Sequence, residues 1–450
     1  MAKPKKMFVC NSCGSAYQKW QGQCADCSEW NTIEEELQQF SSSLAPSLTS
    51  GGNLLELEDL SGDIYETSRI ITPISELNRV LGGGLVEGSA ILIGGDPGIG
   101  KSTLLLQLAA RLSQNGTKTL YVTGEESTNQ VKLRATRLGI KESQTKIITA
   151  GNVGDIISTI NVNKDDIDLV IIDSIQTMFV SEISSSPGTT SQVKAAAHEL
   201  INYAKQNNII LLIVGHVTKD GQIAGPKLLE HMVDTVLYFE GDNTHQFRIL
   251  RSMKNRFGGV NEIGVFEMRG QGLVEVTNPS ELFLMERDNN VAGTSIFAGI
   301  EGTRPILVEI QALVCPSNMP TPRRAVVGWD QNRLAMILAV LAVRFGLNLS
   351  TYEVYLTVAG GLKITEPAVD LAVAASIISA AKNIPLPDKS IFFGEIGLSG
   401  EVRKVSHTEQ RLKEAKKLGF TKAFCNIGKE DMHNMQVHKT MHVKQVMVKH

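Results

Sequence analysis

Long hydrophobic runs, an excess of either charge and cysteine are all scarce in this 450-residue sequence. Its longest apolar run, Leu334 to Val343, is ten residues closed by Arg333 and Arg344. A helix needs roughly 20 apolar residues to cross a bilayer, so this run is expected to be a buried helix and no membrane is expected as a partner. The opening MAKPKKMFVC has lysines but no apolar core behind them. That argues against a secretory signal and for a cytoplasmic protein. A net charge of -3 rules out a globally basic surface, so any contact with nucleic acid has to come from local patches. Six cysteines over this length do not make a disulfide scaffold.

What is present falls into segments. With 42% hydrophobic residues the chain can fill the cores of two or three domains. Four of the cysteines sit together at the start, as Cys10-x-x-Cys13 and Cys24-x-x-Cys27. Each pair can clip one edge of a tetrahedral zinc ion through thiolates, with a two-stranded ribbon between the pairs and Trp20 and Trp30 placed to cover it. Redox-active thiols or paired disulfides are the competing reading. Cys315 and Cys425 stand alone and read as buried residues. The zinc module is expected over 1–33, and a flexible linker over 34–53, where Gln38 to Asn53 is rich in Ser and Gly.

From 54 to 278 strands and helices alternate, the pattern of an α/β domain with a largely parallel sheet. Its centre is the stretch after the apolar run Ala90-Ile91-Leu92-Ile93. Gly95, Asp96, Pro97, Gly98, Ile99, Gly100, Lys101, Ser102 and Thr103 fit the G-x-x-x-x-G-K-[ST] phosphate loop. Glycines let backbone N–H groups turn inward on the phosphates of ATP, Lys101 reaches the terminal phosphates, and the Ser102 hydroxyl ligates magnesium. A second acidic strand end, Asp173 after Leu169-Val-Ile-Ile, suits the magnesium shell. The next residue is Ser174 and not Glu, so the base that activates water must lie elsewhere. Glu125, ending the neighbouring strand, is the first candidate and Glu126 the fallback.

Three further features bear on function. His216 follows the strand Ile209 to Val214 and is a candidate phosphate sensor, although a lone histidine is more often structural. Arg248, Arg251, Lys254 and Arg256 fall within nine residues free of acids. They read as an edge that contacts DNA, or as a finger reaching a nucleotide on the next subunit. The remainder, 279–450, is expected to be a separate α+β domain with no evident nucleophile and base.

Taken together these motifs resemble the RadA (Sms) family of bacterial recombination and repair ATPases. The resemblance rests on the paired C-x-x-C, GGDPGIGKST, YVTGEES (Tyr121 to Ser127), VIIDSIQT (Val170 to Thr177), GHVTKDG (Gly215 to Gly221) and the five-residue motif Lys254-Asn255-Arg256-Phe257-Gly258. It implies an N-terminal zinc ribbon, a RecA-like P-loop ATPase core and a C-terminal Lon protease-like domain. It also implies ATP hydrolysis stimulated by DNA, with zinc, magnesium and ATP bound. The family pattern further implies a homo-oligomer, a hexameric ring, acting on single-stranded and branched DNA alongside the RecA recombinase. The C-terminal part departs from Lon: the serine position is Ala368 and the lysine position aligns with Glu409. A protease is therefore not expected. The domain reads as a scaffold, with Arg304, Arg323, Arg324 and Lys382 as candidate DNA contacts. A RecA-like timer of the circadian-clock type is the remaining alternative, disfavoured by the ribbon and the Lon-like tail.

Overall fold

The computed structural model describes residues 6–10, 16–17, 19–25, 29–30, 32–37, 68–140, 142–215, 228–241, 247–284, 291–427 and 435–446. The chain forms two compact units. One holds Met1–Phe239, Ser252–Val260 and Arg269–Leu273; the other holds Glu240–Arg251, Asn261–Met268 and Val274–His450. The division read at 278 is thus spread over several crossings of the chain.

At the N-terminus, Lys6–Cys10 pairs antiparallel with Ala16–Tyr17 on one side and Ile33–Leu37 on the other. Among the described residues the ribbon has three strands where two were expected, and its last strand runs on to Leu37. Cys10 and Cys24, one from each C-x-x-C pair, are buried in one small cluster with Ile33. One cysteine of each pair thus lies in the same small core. Trp20 and Trp30 do not cover this cluster: they are 58% and 66% exposed. Cys13, Cys27 and the linker Gln38 to Asn53 lie outside the described residues.

The sheet that carries the phosphate loop has nine strands, and six neighbouring ones run parallel. In order they are Thr235–Glu240, Ala90–Gly95, Ile210–Val214, Leu169–Asp173, Thr119–Thr123 and Lys146–Thr149. Ala90–Gly95, Thr119–Thr123, Leu169–Asp173 and Ile210–Val214 are buried along their whole length. Their unbroken apolar runs are what a parallel sheet covered on both faces demands. Leu92, Val122, Ile172 and Ile213 share one core with Ile156 of helix Val153–Val162 and Leu200 of helix Thr190–Gln206. Helix Lys101–Gln114 packs on Thr119–Thr123 and Ala90–Gly95. Parallel strands end on one edge, so Gly95, Thr123 and Asp173 are brought together there, with Thr123 and Asp173 directly paired.

The second unit is built on a mixed seven-stranded sheet. Its order is Arg324–Val327, Tyr352–Val358, Arg304–Pro316, Thr294–Glu301, Ser390–Phe392, Lys422–Cys425 and Gln436–Lys439. Helix Asp370–Lys382 packs on Arg304–Pro316 and Thr294–Glu301. The apolar run noted in the sequence becomes helix Gln331–Val340 continued by a π-helical turn, Leu341–Phe345. Its buried residues Leu334, Ile337, Val340 and Leu341 recur at three- and four-residue spacing, one stripe facing the core. No helix among the described residues is long and apolar enough to cross a membrane.

Candidate functional site

The phosphate loop follows directly from the local sequence. Strand Ala90–Gly95 delivers the chain to the ligand edge, and helix Lys101–Gln114 starts after five intervening residues. Gly95, Gly98 and Gly100 have φ of 147°, 79° and 119°, a region that L side chains rarely enter. At Gly95 packing adds a second demand, because a Cβ would lie 2.8 Å from that of Phe239. Asp96, Pro97 and Gly98 form the exposed tip, while Ile99 anchors the loop in the core. Gly100 caps the helix without a side chain, so its first N–H groups are not claimed by a capping residue.

Lys101 is buried, and its Nζ donates to the carbonyls of Gly95 at 2.6 Å and Asp96 at 2.9 Å. Burial lowers its pKa to about 8, opposed by the charges of Asp173, Asp96 and Glu125. The three carboxylates named from sequence thus sit within electrostatic reach of this one ammonium. Asp173 accepts a hydrogen bond on Oδ2 from the Tyr121 hydroxyl. Tyr121 is fully buried, and burial, then the Asp173 charge, hold that hydroxyl protonated well above its usual range. It is a permanent donor to Asp173.

The two candidate bases part company. Glu126 is 2.9 Å from Nη2 of Arg134 in an ion pair. Glu125 is exposed at the strand end, and its Oε1 accepts from the Ser174 hydroxyl at 2.7 Å. The peptide between Asp173 and Ser174 is cis. Neither Tyr121 nor Ser174 stood out in sequence reasoning as a partner of these acids. The only signal was negative, that residue 174 is not itself an acid. His216 lies outside the described residues.

The basic run does not form one edge. Arg248 and Arg251 are buried, and Arg251 is ion-paired with Glu301 and, at 2.8 Å, with Glu240. A strand alternates its faces, so charge density along the sequence is not charge density on a surface. Lys254 and Arg256 are placed differently, around Asp234. Asp234 Oδ1 receives Arg256 Nη1 at 3.0 Å and Lys205 Nζ at 2.9 Å, and its Oδ2 receives the Ala90 amide at 3.0 Å. Lys254 Nζ donates to the carbonyls of Glu230 and Val233, each at 2.7 Å. Asn255 ties the turn by accepting from the Phe257 amide at 2.9 Å, and the Phe257 carbonyl accepts from Arg69 at 3.0 Å. At Gly258 a Cβ would come 2.7 Å from the Cα of Gly82. Ala90 begins the strand that ends in the phosphate loop. With a rise of about 3.3 Å per residue, the motif lies about 17 Å from its own loop, at the opposite edge of the sheet.

In the second unit, Ala368 is buried in the turn Pro367–Val369. Glu409 does not face this turn: it is 57% exposed and pairs with Lys413. Arg411, two residues on from Glu409, is fully buried. It chelates Glu366 and donates to the carbonyls of Ala298 at 2.7 Å and Ser406 at 3.0 Å. Of the candidate DNA contacts, Arg304 is buried and bonded to the Thr277 carbonyl, whereas Arg323 and Lys382 are exposed.

Comparison with known proteins bears on the whole chain. The DNA repair protein RadA of Rickettsia felis is 63% identical over 95% of both chains. That of Brucella abortus is 56% identical over 94% of this chain and 92% of its own. The Bacillus subtilis protein is 51% identical over 93% and 92%. The chain belongs to the RadA family. Family models match in the same layout: a rubredoxin metal binding domain at 8–35, an AAA domain at 55–222 and the ChlI subunit of Mg-chelatase at 329–428. Among solved structures a DnaB-like replicative helicase is similar over 47% of this chain and 63% of that one, at 16% identity and a TM-score of 0.41. The chain is thus a RadA-type DNA repair ATPase with a zinc ribbon, a RecA-like P-loop core and a Lon-like C-terminal domain.

Proposed function

We propose that this member of the family hydrolyses ATP in response to DNA and works as a ring, a hexamer, that drives branch migration of recombination intermediates alongside RecA in the cytoplasm. In this reading the phosphates of ATP lie on the N–H groups of residues 95–103, and Lys101 neutralises charge that develops on the transferred phosphoryl group. Ser102 and Asp173 would hold magnesium, which supplies positive charge to the phosphates when bound. Glu125 takes the proton of the attacking water, since Glu126 is committed to Arg134. Cys10, Cys13, Cys24 and Cys27 would hold zinc in the ribbon.

The observation that carries the oligomeric part is the place of Lys254 and Arg256. Two cations at the far edge of the sheet cannot serve the nucleotide of their own chain across about 17 Å. They suit a neighbour's phosphates, or DNA. The C-terminal domain acts as a scaffold and not a protease: Ala368 offers no hydroxyl as nucleophile, and Glu409 stands in the position of the lysine. The test is an ATPase assay of the full chain with and without single-stranded DNA. Turnover is expected to rise with DNA and to vanish in Lys101→Ala. Equal rates with and without DNA would overturn the DNA-coupled reading, and casein cleavage would overturn the scaffold reading.

A further inference from the structure

Two short segments far apart in sequence interlock at the ligand edge, beside Glu125. Strand Thr119–Thr123 leads into Gly124 and Glu125, while strand Leu169–Asp173 leads into Ser174 and the tight turn Ile175–Thr177. The Gly124 amide donates to the Asp173 carbonyl at 3.1 Å, extending the pairing one residue past Thr123. Gly124 also has to be glycine: a Cβ there would sit 2.1 Å from Thr177 Oγ1 and 2.7 Å from Thr177 Cβ. The turn that presses on it is fastened to Ser174, whose carbonyl accepts from the Thr177 hydroxyl at 2.8 Å and the Thr177 amide at 3.2 Å. Ser174 is thereby fully buried with a fixed backbone, and its hydroxyl is directed at Glu125 Oε1, 2.7 Å away.

We propose that Ser174 is a positioning residue for catalysis, which orients the Glu125 carboxylate for proton abstraction by donating to one of its oxygens. The inference rests on the reading that Glu125 is the water-activating base. An exposed glutamate has three rotatable side-chain bonds, and a base must be held within hydrogen-bond reach of one water to act in every encounter. A buried hydroxyl on a rigid strand end supplies that restraint without touching substrate. It engages Oε1 of the carboxylate. Serine, where many phosphate-loop enzymes of other designs would carry an acid, thus serves the base that the neighbouring strand provides.

The test is steady-state ATPase kinetics of the full chain at saturating DNA, for Ser174→Ala, Ser174→Thr, Glu125→Gln and the double variant. Ser174→Ala is expected to lower kcat by roughly 10–100-fold, the cost of a misdirected catalytic group, with KM for ATP unchanged. Ser174→Thr, which keeps the hydroxyl, is expected to restore most of the rate. In the Glu125→Gln background, Ser174→Ala should cost nothing further, because the hydroxyl then has no base to orient. Wild-type kcat in Ser174→Ala, with Glu125→Gln inactive, would overturn the role of Ser174 alone. So would a parallel rise in KM, or a full additional loss in the double variant. An active Glu125→Gln would instead overturn the underlying assignment of the base.

Discussion

Lys101 shows at the scale of one residue how burial tunes a site. Its ammonium is half neutral near pH 8 because desolvation outweighs the three surrounding carboxylates. Nucleotide phosphates favour the charged form, so binding should draw a proton to this side chain whenever it was neutral beforehand. Near pH 8.5 we expect ATP binding to take up a substantial fraction of one proton, and at pH 7, where Lys101 is already charged, close to none. Titration calorimetry in buffers of different ionisation enthalpy measures this directly. Uptake that persists at pH 8.5 in Lys101→Met would assign the proton to another group. Tyr121 and Ser174 illustrate the complementary lesson. Each donates to an acid that the sequence did nominate, Asp173 and Glu125. Neither could be paired with its acid from sequence, because the partners lie about 50 residues apart and meet only through strand pairing.

At the scale of elements, the turn after strand Phe247–Asn255 is seated against the helix Ser75–Leu81 by two glycines. Gly82 has φ +76° and ends that helix in the left-handed conformation, and a Cβ on it would meet the Cα of Gly258 at 2.8 Å. Gly82→Ala is therefore expected to destabilise the ATPase unit by roughly 1–3 kcal/mol, through backbone strain and the clash together. Thermal unfolding should show a lowered midpoint, and an unchanged one would mean that the turn relaxes away freely. Element types were largely legible in the sequence. The apolar strands, the helix after the phosphate loop and the stripe on Gln331–Val340 all follow periodicity or composition. The basic run was misleading for a definite reason: Arg251 lies on a strand face that meets Glu240 and Glu301, and those two acids come from other strands. Likewise Glu409 and Arg411 differ by two positions on one helix, which turns one to solvent and the other to Glu366.

At the scale of the whole molecule, the separation of Arg256 from its own phosphate loop makes a claim about assembly. If Lys101 and Arg256 act on one nucleotide from adjacent subunits, each single variant is inactive for a different side of the interface. Mixing Lys101→Ala with Arg256→Ala should then restore part of the turnover, because some interfaces combine an intact loop with an intact arginine. The measurement is ATPase rate against mixing ratio after subunit exchange. A rate that stays at the sum of the two inactive proteins would place Arg256 on DNA or on its own chain's structure, where it also holds Asp234.

The sequence by itself determined what is encoded in contiguous residues. The phosphate loop, its glycines and Lys101 lie within ten positions, and the local backbone folds the same way whatever surrounds it. The paired cysteines of the ribbon are local in the same sense. Tertiary structure alone decided that Glu126 pairs with Arg134 while Glu125 meets Ser174, and which arginines are buried. It also decided that Lys254 and Arg256 stand at the far edge of the sheet. Those outcomes depend on strand order, register and the direction of each side chain. These are set when distant segments bury their apolar faces together, and spacing along the chain carries no record of them.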